Sequence, residues 1–368
     1  MPSLLLRKYA ALTATLSIPI PSSSKSVCNT LLTIINDPHL TSYPPSHAYQ
    51  TRFFKRLVDE LEARADYPID EEIYEAFMDA MAGSSSEGCS NHSTSSPGLQ
   101  VTPPSPSYRT HYYPLRLSSR GQENGHRSPP GCLCAREQAD EEGWGRLTVF
   151  ESPSLVEAGT TGLRTWRAAL WMGEWLLAHS EVVKGKKVLE LGSGTGFLGI
   201  LVAQLQLLAG EGNGVGEVWM TDCSDAVLHR CANNVHLPCN NLEAHPGLHT
   251  TSLDWTSSLP EVEAQMQQMK PDVVIACDVV FDTSIVPDLV KALRLTLGTA
   301  GACWVAGAIR NEETTNAFIR EAENQGLRVR DTDWAFGDDE RVFLGGSEGG
   351  EGMGEVRLMC LTKGVKEQ

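Results

Sequence analysis

The stretch VLELGSGTGFLGI, residues 188–200, constrains the fold of this chain more than any other. A short apolar run carries Glu190 near its end, glycines follow at 192, 194 and 196, and a second apolar run begins at once. Glycine permits a tight turn and a close approach of the backbone to a ligand, which a Cβ atom would prevent. A helix after the turn offers its unpaired N–H groups. The stretch therefore predicts a strand, a ligand-binding turn and a helix.

Strand and helix patterns alternate around this stretch, from about Gly145 to the end of the chain. The predicted strands are 146–152, 187–191, 217–221, 272–277, 301–308, 327–334 and 355–362. The predicted helices are 165–179, 196–208, 224–234, 284–296 and 312–325. Such alternation predicts an α/β domain, here residues 146–368, with a parallel sheet and helices on both faces. No helix separates the last two strands, so we expect a final antiparallel hairpin.

A small helical module is predicted at residues 1–82. Phe53, Leu57, Leu61 and Ala65 recur at steps of four and form one apolar stripe. Gly83 is predicted to end the last helix of the module.

A linker is predicted between the two domains, at residues 83–145. About half of the residues from 83 to 131 are Ser, Pro or Gly. Such a segment cannot bury enough apolar surface to offset its ordering entropy, so we expect it to be mostly disordered. One exception is predicted, a short strand within 108–117.

Composition limits the classes of partner and of location. The formal net charge is −16, which argues against a nucleic-acid-binding surface spread over the protein. The ten cysteines form no CxxC pairs, so we expect no zinc site and thiols that are kept reduced. The apolar run at the N-terminus is interrupted by Arg7 and Lys8, and no segment has the length of a membrane span. These patterns predict a cytoplasmic protein without a direct nucleic-acid or membrane partner.

The glycine turn also matches the dinucleotide-binding pattern G-x-G-x-x-G, at Gly194, Gly196 and Gly199. In that fold the acid that binds the ribose lies roughly 20 residues further on, whereas Asp222 lies 28 residues beyond Gly194. Glu190, before the first glycine, would repel a pyrophosphate. NAD is therefore the less favoured alternative as a cofactor.

Glu190 and Asp222 together suit a ligand with a cationic end and a ribose diol, and S-adenosylmethionine has both. The stretch ELGSGTG resembles the glycine motif of the seven-stranded, class I S-adenosylmethionine-dependent methyltransferases, and Asp222 matches the acidic residue that ends their second strand. The resemblance implies a seven-stranded Rossmann-like sheet. It also implies a cofactor site at Glu190, Gly192, Ser193, Gly194, Gly196 and Asp222. Asp222 has an alternative role as the N-cap of the next helix.

The resemblance narrows in the segment before the glycine motif. Residues 151–176 resemble family 16 of these enzymes, the protein-lysine methyltransferases. Within them, TTGLRTW at 160–166 is similar to the version in members that methylate a lysine of translation elongation factor 2. It implies that Trp166 packs at the cofactor pocket. LDW resembles the loop whose tryptophan, here Trp255, flanks the adenine, since a flat ring stacks well on a purine. The alternative for both tryptophans is a place in the core.

CDVVFD, residues 277–282, resembles the motif at the end of the family's fourth strand, which has an aspartate, two apolar residues and a tyrosine. Asp278 matches the aspartate, Phe281 stands where the family usually has tyrosine, and Cys277 matches a small residue that lines the cofactor pocket. The resemblance implies that Asp278 orients the target amine. Phe281 would wall the lysine channel, where an aromatic face tolerates a methylated cation. Asp278 has an alternative role as a cap of the next helix.

The resemblance as a whole implies a protein-lysine N-methyltransferase that uses S-adenosylmethionine, holds no metal and methylates a protein, elongation factor 2 foremost. Two alternatives remain. One is a methyltransferase of another protein or of a small molecule, and the other is a methyltransferase fold that binds without catalysis. The N-terminal module resembles the extra domain of the elongation factor 2 enzymes. It is expected either to select the substrate or only to stabilise the fold.

Overall fold

The structure is a computed structural model of the 368-residue chain and describes residues 1–87, 105–115, 143–209, 215–309, 312–332, 341–344 and 355–364. Within these residues the chain forms a helical module, a two-stranded sheet and a seven-stranded sheet with helices. Of the helices in this part of the chain, none is both long and apolar enough to cross a membrane.

Five helices form the N-terminal module. They are α1 (Leu4–Ala10), α2 (Ser24–Ile35), α3 (Pro38–Ser42), α4 (His47–Arg64) and α5 (Glu71–Glu87). Each of the first four begins after a Ser or Asp whose side chain accepts a backbone N–H of the first turn. The predicted stripe of α4 is confirmed for Phe53, Leu57 and Leu61, which are all buried in the core of the module, whereas Ala65 follows the last helical residue and is exposed.

Gly83 does not end α5, so that prediction is wrong. The helix continues to Glu87. A Cβ atom at Gly83 would overlap the ring of His47, the first residue of α4. The glycine therefore serves the close approach of α4 and α5 rather than the end of a helix.

The strand expected within the linker is present. It is β1 (Ser107–Pro114), and it pairs antiparallel with β2 (Trp144–Glu151). The predicted strand at 146–152 thus begins two residues earlier than expected. The rest of the predicted linker, residues 88–104 and 116–142, lies outside the described residues.

Alternate residues of β1 face two different cores, because successive side chains of a strand point to opposite sides. Tyr112 is buried in the core of the helical module, and Tyr113 in a core of the α/β domain. The Tyr113 hydroxyl donates to Gln204 Oε1 at 2.9 Å. On the module side, the Thr110 hydroxyl and the His39 ring form a hydrogen bond of 2.9 Å. The two-stranded sheet is therefore a layer that joins the module to the α/β domain.

The seven-stranded sheet has the order β5-β4-β3-β6-β7-β9-β8. Its strands are β3 (Lys187–Leu191), β4 (Glu217–Asp222), β5 (Leu248–Ser252), β6 (Val273–Cys277), β7 (Ala302–Ala308), β8 (Leu327–Asp331) and β9 (Val356–Lys363). The first five run parallel, and β9 runs antiparallel to both β7 and β8. The predicted seven-stranded sheet and its final antiparallel hairpin are confirmed, but the strand predicted at 146–152 is β2 of the two-stranded sheet and not one of the seven.

Six helices connect the strands: α6 (Arg167–Ala178), α7 (Phe197–Leu208), α8 (Asp225–Val235), α9 (Leu259–Met269), α10 (Val286–Thr296) and α11 (Glu312–Asn324). One apolar core contains buried side chains of α6, α7 and α8, and the other those of α9, α10 and α11. Val188 belongs to the first core and Leu189 to the second. The helices thus cover both faces of the sheet, as predicted.

Strand β5 and helix α9 were missing from the predicted elements. The strand LHTTS carries one strongly apolar residue and lies at the edge of the sheet, so it lacks the apolar run of a central strand. The helix begins with a capping box in which the Ser258 and Glu261 side chains bond to each other's backbone N–H. Ser followed by Glu three residues later is a helix-start signal that would have found it.

The link between β1 and the α/β domain predicts the effect of one hydroxyl. Tyr113→Phe is expected to lower the free energy of unfolding by about 1–2 kcal/mol, because a buried oxygen of Gln204 loses its donor. Urea unfolding followed by circular dichroism measures the change. Tyr74→Phe is the matched control, since its hydroxyl donates to Glu62 at the exposed surface, and it should cost less than about 0.5 kcal/mol. Equal losses in the two variants would contradict the buried link.

Candidate active site

The candidate site lies at the carboxyl ends of β3, β4 and β6. Strand β3 pairs with β4 on one side and with β6 on the other. The strands that follow β3 in the chain are therefore added first toward one edge of the sheet, as β4 and β5, and then toward the other, from β6 onward. In open α/β sheets, ligands bind in the crevice at such a switch point. Glu190, Asp222 and Cys277 lie on the three strands at this place.

Three glycines after β3 have φ angles in the left-handed region, 70° at Gly192, 54° at Gly194 and 86° at Gly196, where glycine is favoured. A Cβ atom at Gly192 would lie 2.9 Å from Val279 Cγ1. One at Gly194 would lie 3.2 Å from the Gly162 carbonyl oxygen. The predicted strand, turn and helix are confirmed, and glycine is needed both for the turn and for its close packing.

Ser193 fastens this turn to β4. Its N–H donates to the Thr221 carbonyl at 2.8 Å, and its hydroxyl accepts from the Thr221 N–H at 2.9 Å. The side chain is therefore engaged by the sheet, although Ser193 also lines the cavity described below.

Glu190 is a buried carboxylate with an unmatched oxygen. The residue is 3% exposed, and among the described residues Oε2 has no hydrogen-bond partner. Burial raises the pKa of Glu190 to about 8, because loss of water disfavours the charged form, and repulsion by the charge of Asp222 acts in the same direction. A cationic group entering the site would satisfy this carboxylate.

Asp222 reaches the glycine turn from the end of β4. Its Oδ2 accepts from the Gly194 N–H at 3.4 Å, and its Oδ1 from the Ser224 N–H at 3.1 Å. Burial raises the pKa of Asp222 as well. The N-cap of α8 is Ser224, so Asp222 does not play the capping role considered as its alternative.

The segment TTGLRTW forms the opposite wall of the site. Trp166 is the N-cap residue of α6, and its ring N–H donates to the Thr161 carbonyl at 2.9 Å. The Arg164 guanidinium lies over the same ring, 5.3 Å from its centre. The Thr165 and Thr195 hydroxyls bond to each other at 2.8 Å and join this wall to the glycine turn.

A cavity opens between that wall and the turn. It is lined by Arg164, Thr165, Trp166, Ala169, Glu190, Gly192, Ser193, Gly194, Thr195, Phe197, Leu198 and Cys277. Six of the predicted cofactor residues are in this group. The other lining residues lie within the quoted motifs or up to three residues after them, and this position is the signal that could have found them.

One further predicted residue, Trp255, lies beside the cavity, and Cys277 is among the lining residues already named. Trp255 is half-buried and packs on the second core, with its ring 3.8 Å from the place of a Cβ atom at Gly192. Cys277 lines the cavity, and burial raises the pKa of its thiol well above the usual value. The thiol is therefore neutral, in agreement with a lining role and not a nucleophilic one.

Asp278 is held by two backbone amides. Its Oδ2 accepts from the Ala168 N–H of α6 at 3.3 Å, and its Oδ1 from the Ala308 N–H at 3.1 Å. Its φ of 54° lies in the left-handed region, which is costly for a residue with a side chain. Asp278 thus binds a backbone amide in the first turn of α6. Its alternative role was to cap a different helix, the one that follows it in the chain.

Phe281 stands apart from the cavity. It is 64% exposed and does not belong to the cavity lining. The structure therefore brings Asp278, but not Phe281, against the walls of the site.

The chain was compared with known proteins. Residues 152–325 match the family model of lysine methyltransferases. The chain is 30% identical over 294 residues to the protein-lysine N-methyltransferase EFM3 of Chaetomium thermophilum, which covers 78% of this chain and 76% of that one. It is 28% identical over 322 residues to the human protein-lysine N-methyltransferase EEF2KMT, with 83% and 79% covered. It is 32% identical over 200 residues to EFM3 of Saccharomyces cerevisiae, with 50% and 55% covered.

The chain belongs to the lysine methyltransferase family. The predicted enzyme class, an S-adenosylmethionine-dependent protein-lysine N-methyltransferase, is thereby confirmed, as is the predicted cofactor, and the NAD alternative is wrong. In the described part of this methyltransferase, no group of three or more His, Cys, Asp or Glu is placed to hold a metal ion.

The residues of the site fit S-adenosylmethionine. The unmatched Glu190 oxygen suits the ammonium of the methionine end. The turn at Gly192 and Gly194 leaves backbone without side chains beside the cavity, and Asp222 offers carboxylate oxygens to ribose hydroxyls.

Glu190 predicts how cofactor affinity depends on pH. Below about pH 8 its carboxyl takes up a proton in the cofactor-free protein and loses its attraction for an ammonium. Above about pH 8 the α-amino group of the cofactor loses its own charge. Affinity should therefore be highest near pH 8 and about tenfold weaker at pH 6, as measured by calorimetric titration.

Glu190→Gln should bind more weakly near pH 8 and should lose the decline toward pH 6. Glu217→Gln is the control, because this carboxylate lies at the opposite end of β4, where it pairs with Lys187, and its variant should keep the wild-type profile. Wild-type affinity of Glu190→Gln at every pH would contradict the proposed pairing.

Proposed function

We propose that this methyltransferase transfers a methyl group from S-adenosylmethionine to a lysine of translation elongation factor 2. The support comes from the extent of the similarity. The 322 residues aligned with human EEF2KMT reach well beyond the 152–325 matched by the family model, so they include part of the segment before the catalytic domain. The similarity is therefore not confined to the cofactor site that the whole family shares, and this supports a shared substrate as well as a shared cofactor.

The observation that carries the chemistry is the buried carboxylate of Glu190 at the glycine turn. In our proposal Glu190 pairs with the methionine ammonium, and the backbone from Gly192 to Gly196 lies against the same end of the cofactor. Asp222 accepts hydrogen bonds from the ribose, and Trp255 stacks on the adenine. Trp166 closes the cavity from the side of α6.

S-adenosylmethionine, when bound, supplies a methyl group on a cationic sulfur. A lysine amine attacks only when neutral, and its ordinary pKa is about 10.4, so desolvation in a narrow channel favours the reactive form. Each Asp278 oxygen accepts one backbone N–H, and a carboxylate oxygen can accept more than one hydrogen bond. We propose that Asp278 orients the amine in this way and that water takes the lysine proton.

Phe281 is proposed to form the outer rim of the lysine channel. Its large exposed fraction, 64%, suits a side chain that is covered only when a protein substrate docks. Its aromatic face would tolerate both the ammonium and its methylated products.

The N-terminal module adds the surface that choice of a protein substrate requires. A stable protein interface takes about 800 Å² from each partner, more than the rim of one lysine channel provides. The module is firmly attached, since Arg7 of α1 donates to the Val342 carbonyl at 3.2 Å. We propose that it presents a rigid docking face beside the catalytic domain. The cytoplasmic location inferred from the cysteine pattern stays a prediction.

The substrate is tested by incubating the purified protein with labelled S-adenosylmethionine and purified eukaryotic elongation factor 2. We expect label on one lysine of the factor, identified by mass spectrometry, and none on elongation factor 1A as a control protein. If another protein in a cytosolic extract is labelled and elongation factor 2 is not, the proposed substrate is wrong. Cofactor binding without transfer to any protein would instead favour the alternative of a binding module.

The role of Asp278 is tested with Asp278→Asn, which keeps one oxygen for the backbone and removes the charge. Transfer at saturating cofactor should fall about a hundredfold, while cofactor affinity should change much less. Asp282→Asn is the control. This carboxylate lies in the same loop but is exposed to solvent, where it accepts the Ser284 N–H at 2.8 Å. Wild-type transfer by Asp278→Asn would refute the proposed role.

A further inference from the structure

A buried ion pair connects β1 with the edge of the cofactor cavity. Arg109 Nε lies 3.0 Å from Glu151 Oε1, and the two side chains are only 9% and 3% exposed. Arg109 belongs to β1 and Glu151 ends β2. Arg109 precedes the segment 152–325 that the family model matches, and Glu151 lies immediately before it, so the pair connects β1 with the start of the family segment.

The second oxygen of Glu151 holds the wall of the cavity. Glu151 Oε2 accepts from the Thr165 N–H at 2.9 Å. Thr165 lines the cavity between Arg164 and Trp166, and its hydroxyl bonds to that of Thr195 in the glycine turn. An unbroken series of contacts therefore runs from β1 to both walls of the cavity.

Fold stability alone does not account for this pair. The desolvation of two buried charges offsets most of their attraction, and apolar side chains of similar volume often serve as well. In the described part of the chain, neither Nε nor Nη1 of Arg109 has a hydrogen-bond partner, so the contact with Glu151 is an ion pair and the guanidinium is incompletely satisfied. Apolar side chains cannot, however, offer an oxygen to the Thr165 N–H. That oxygen comes from Glu151, and a buried carboxylate at this place needs the Arg109 cation.

We propose that Arg109 is a positioning residue for the cofactor, which acts through Glu151 to fix the backbone at Thr165 and with it the wall from Arg164 to Trp166. The inference rests on the proposed cofactor site. It makes the two-stranded sheet of the N-terminal half a part of the machinery that shapes the cavity, although no residue of that sheet lines the cavity itself.

Two double variants separate the oxygen from the charges. Arg109→Met with Glu151→Gln removes both charges and keeps an oxygen for the Thr165 N–H. Arg109→Met with Glu151→Leu removes both charges and the oxygen. Neither leaves a buried unpaired charge, so both are expected to fold. Calorimetric titration with S-adenosylmethionine should give affinity near that of the wild type for the Gln variant and about tenfold weaker binding for the Leu variant.

The single variant Arg109→Met tests the cation itself. Its unpaired Glu151 carboxylate turns toward water to regain solvation, so its oxygen leaves the Thr165 N–H and binding should weaken by about tenfold as well. Lys187→Met is the matched control. It also removes one partner of an ion pair, but that pair with Glu217 is exposed and lies at the far end of the sheet, so its affinity should equal that of the wild type.

Two readouts distinguish positioning from a loss of folded protein. Amide hydrogen exchange at Thr165 in the cofactor-free protein should be faster in Arg109→Met and in the Leu double variant, and unchanged in the Gln double variant. In steady-state assays the KM for S-adenosylmethionine should rise while kcat at saturating cofactor is retained. A loss of folded protein would lower kcat and leave KM unchanged.

The outcomes are separable. Equal affinities of the Gln and Leu double variants overturn the proposal, and so does a folded Arg109→Met protein with the affinity and Thr165 exchange of the wild type. If Arg109→Met does not fold, the comparison of the two double variants decides. If the wild-type protein itself fails to bind S-adenosylmethionine, the proposed cofactor site is wrong, and that result is distinct from any difference between variants.

Discussion

The burial of the Glu190 carboxylate is the constraint on which the site depends. With its pKa raised to about 8, the folded protein holds a proton that the unfolded chain, with an ordinary value of 4.5, has released. The stability contributed by this group is therefore present at low pH and is lost as pH rises from about 4.5 through 8. Burial of Glu190 in the sheet thus lowers the stability of the protein near neutral pH. A cationic ligand that pairs with the carboxylate would offset this loss. The glycine turn, Asp222 and the wall at the start of α6 determine the shape of the site in which such a ligand would bind.

The β1–β2 layer gives the N-terminal half of the chain a direct part in the catalytic domain. On one side it carries Tyr112 into the core of the helical module. On the other, the His111 ring meets the rings of Phe197, the first residue of α7, and of Phe343. Glu174 of α6 accepts from the Phe343 N–H at 2.6 Å. The module is thus packed on the fold that forms the site, and its expected roles in stability and in substrate choice are compatible.

Sequence patterns predicted the parts of the site that are local. The turn from Glu190 to Gly196 is specified by its own glycines and by the strand and helix around it, so a single stretch of sequence defines it. The sheet could be predicted because its central strands are apolar runs of ordinary length. Strand β5 was not predicted, because an edge strand such as LHTTS needs few apolar residues and so lacks the pattern of a central strand.

The contacts that were not predicted join residues far apart in the chain. The carboxylate of Asp278 meets an amide 110 residues away, at Ala168, and no motif around Asp278 states which backbone it will reach. Gly83 was expected to end a helix, because glycine often does so. Its actual role, the close approach to the His47 ring, can be seen only in the fold. The ion pair of Arg109 and Glu151 was missed because, although a strand was expected within 108–117, nothing in its sequence states which segment it pairs with.

A crystal structure of the protein with S-adenosylhomocysteine would test the central claim most directly. This compound, the product that remains after methyl transfer, keeps the ammonium, the carboxylate and the ribose of the cofactor. We predict that its ammonium lies within hydrogen-bond distance of Glu190 Oε2 and that its ribose hydroxyls lie on the Asp222 carboxylate. A ligand bound with its ammonium away from Glu190, and with Oε2 still unmatched, would contradict the account.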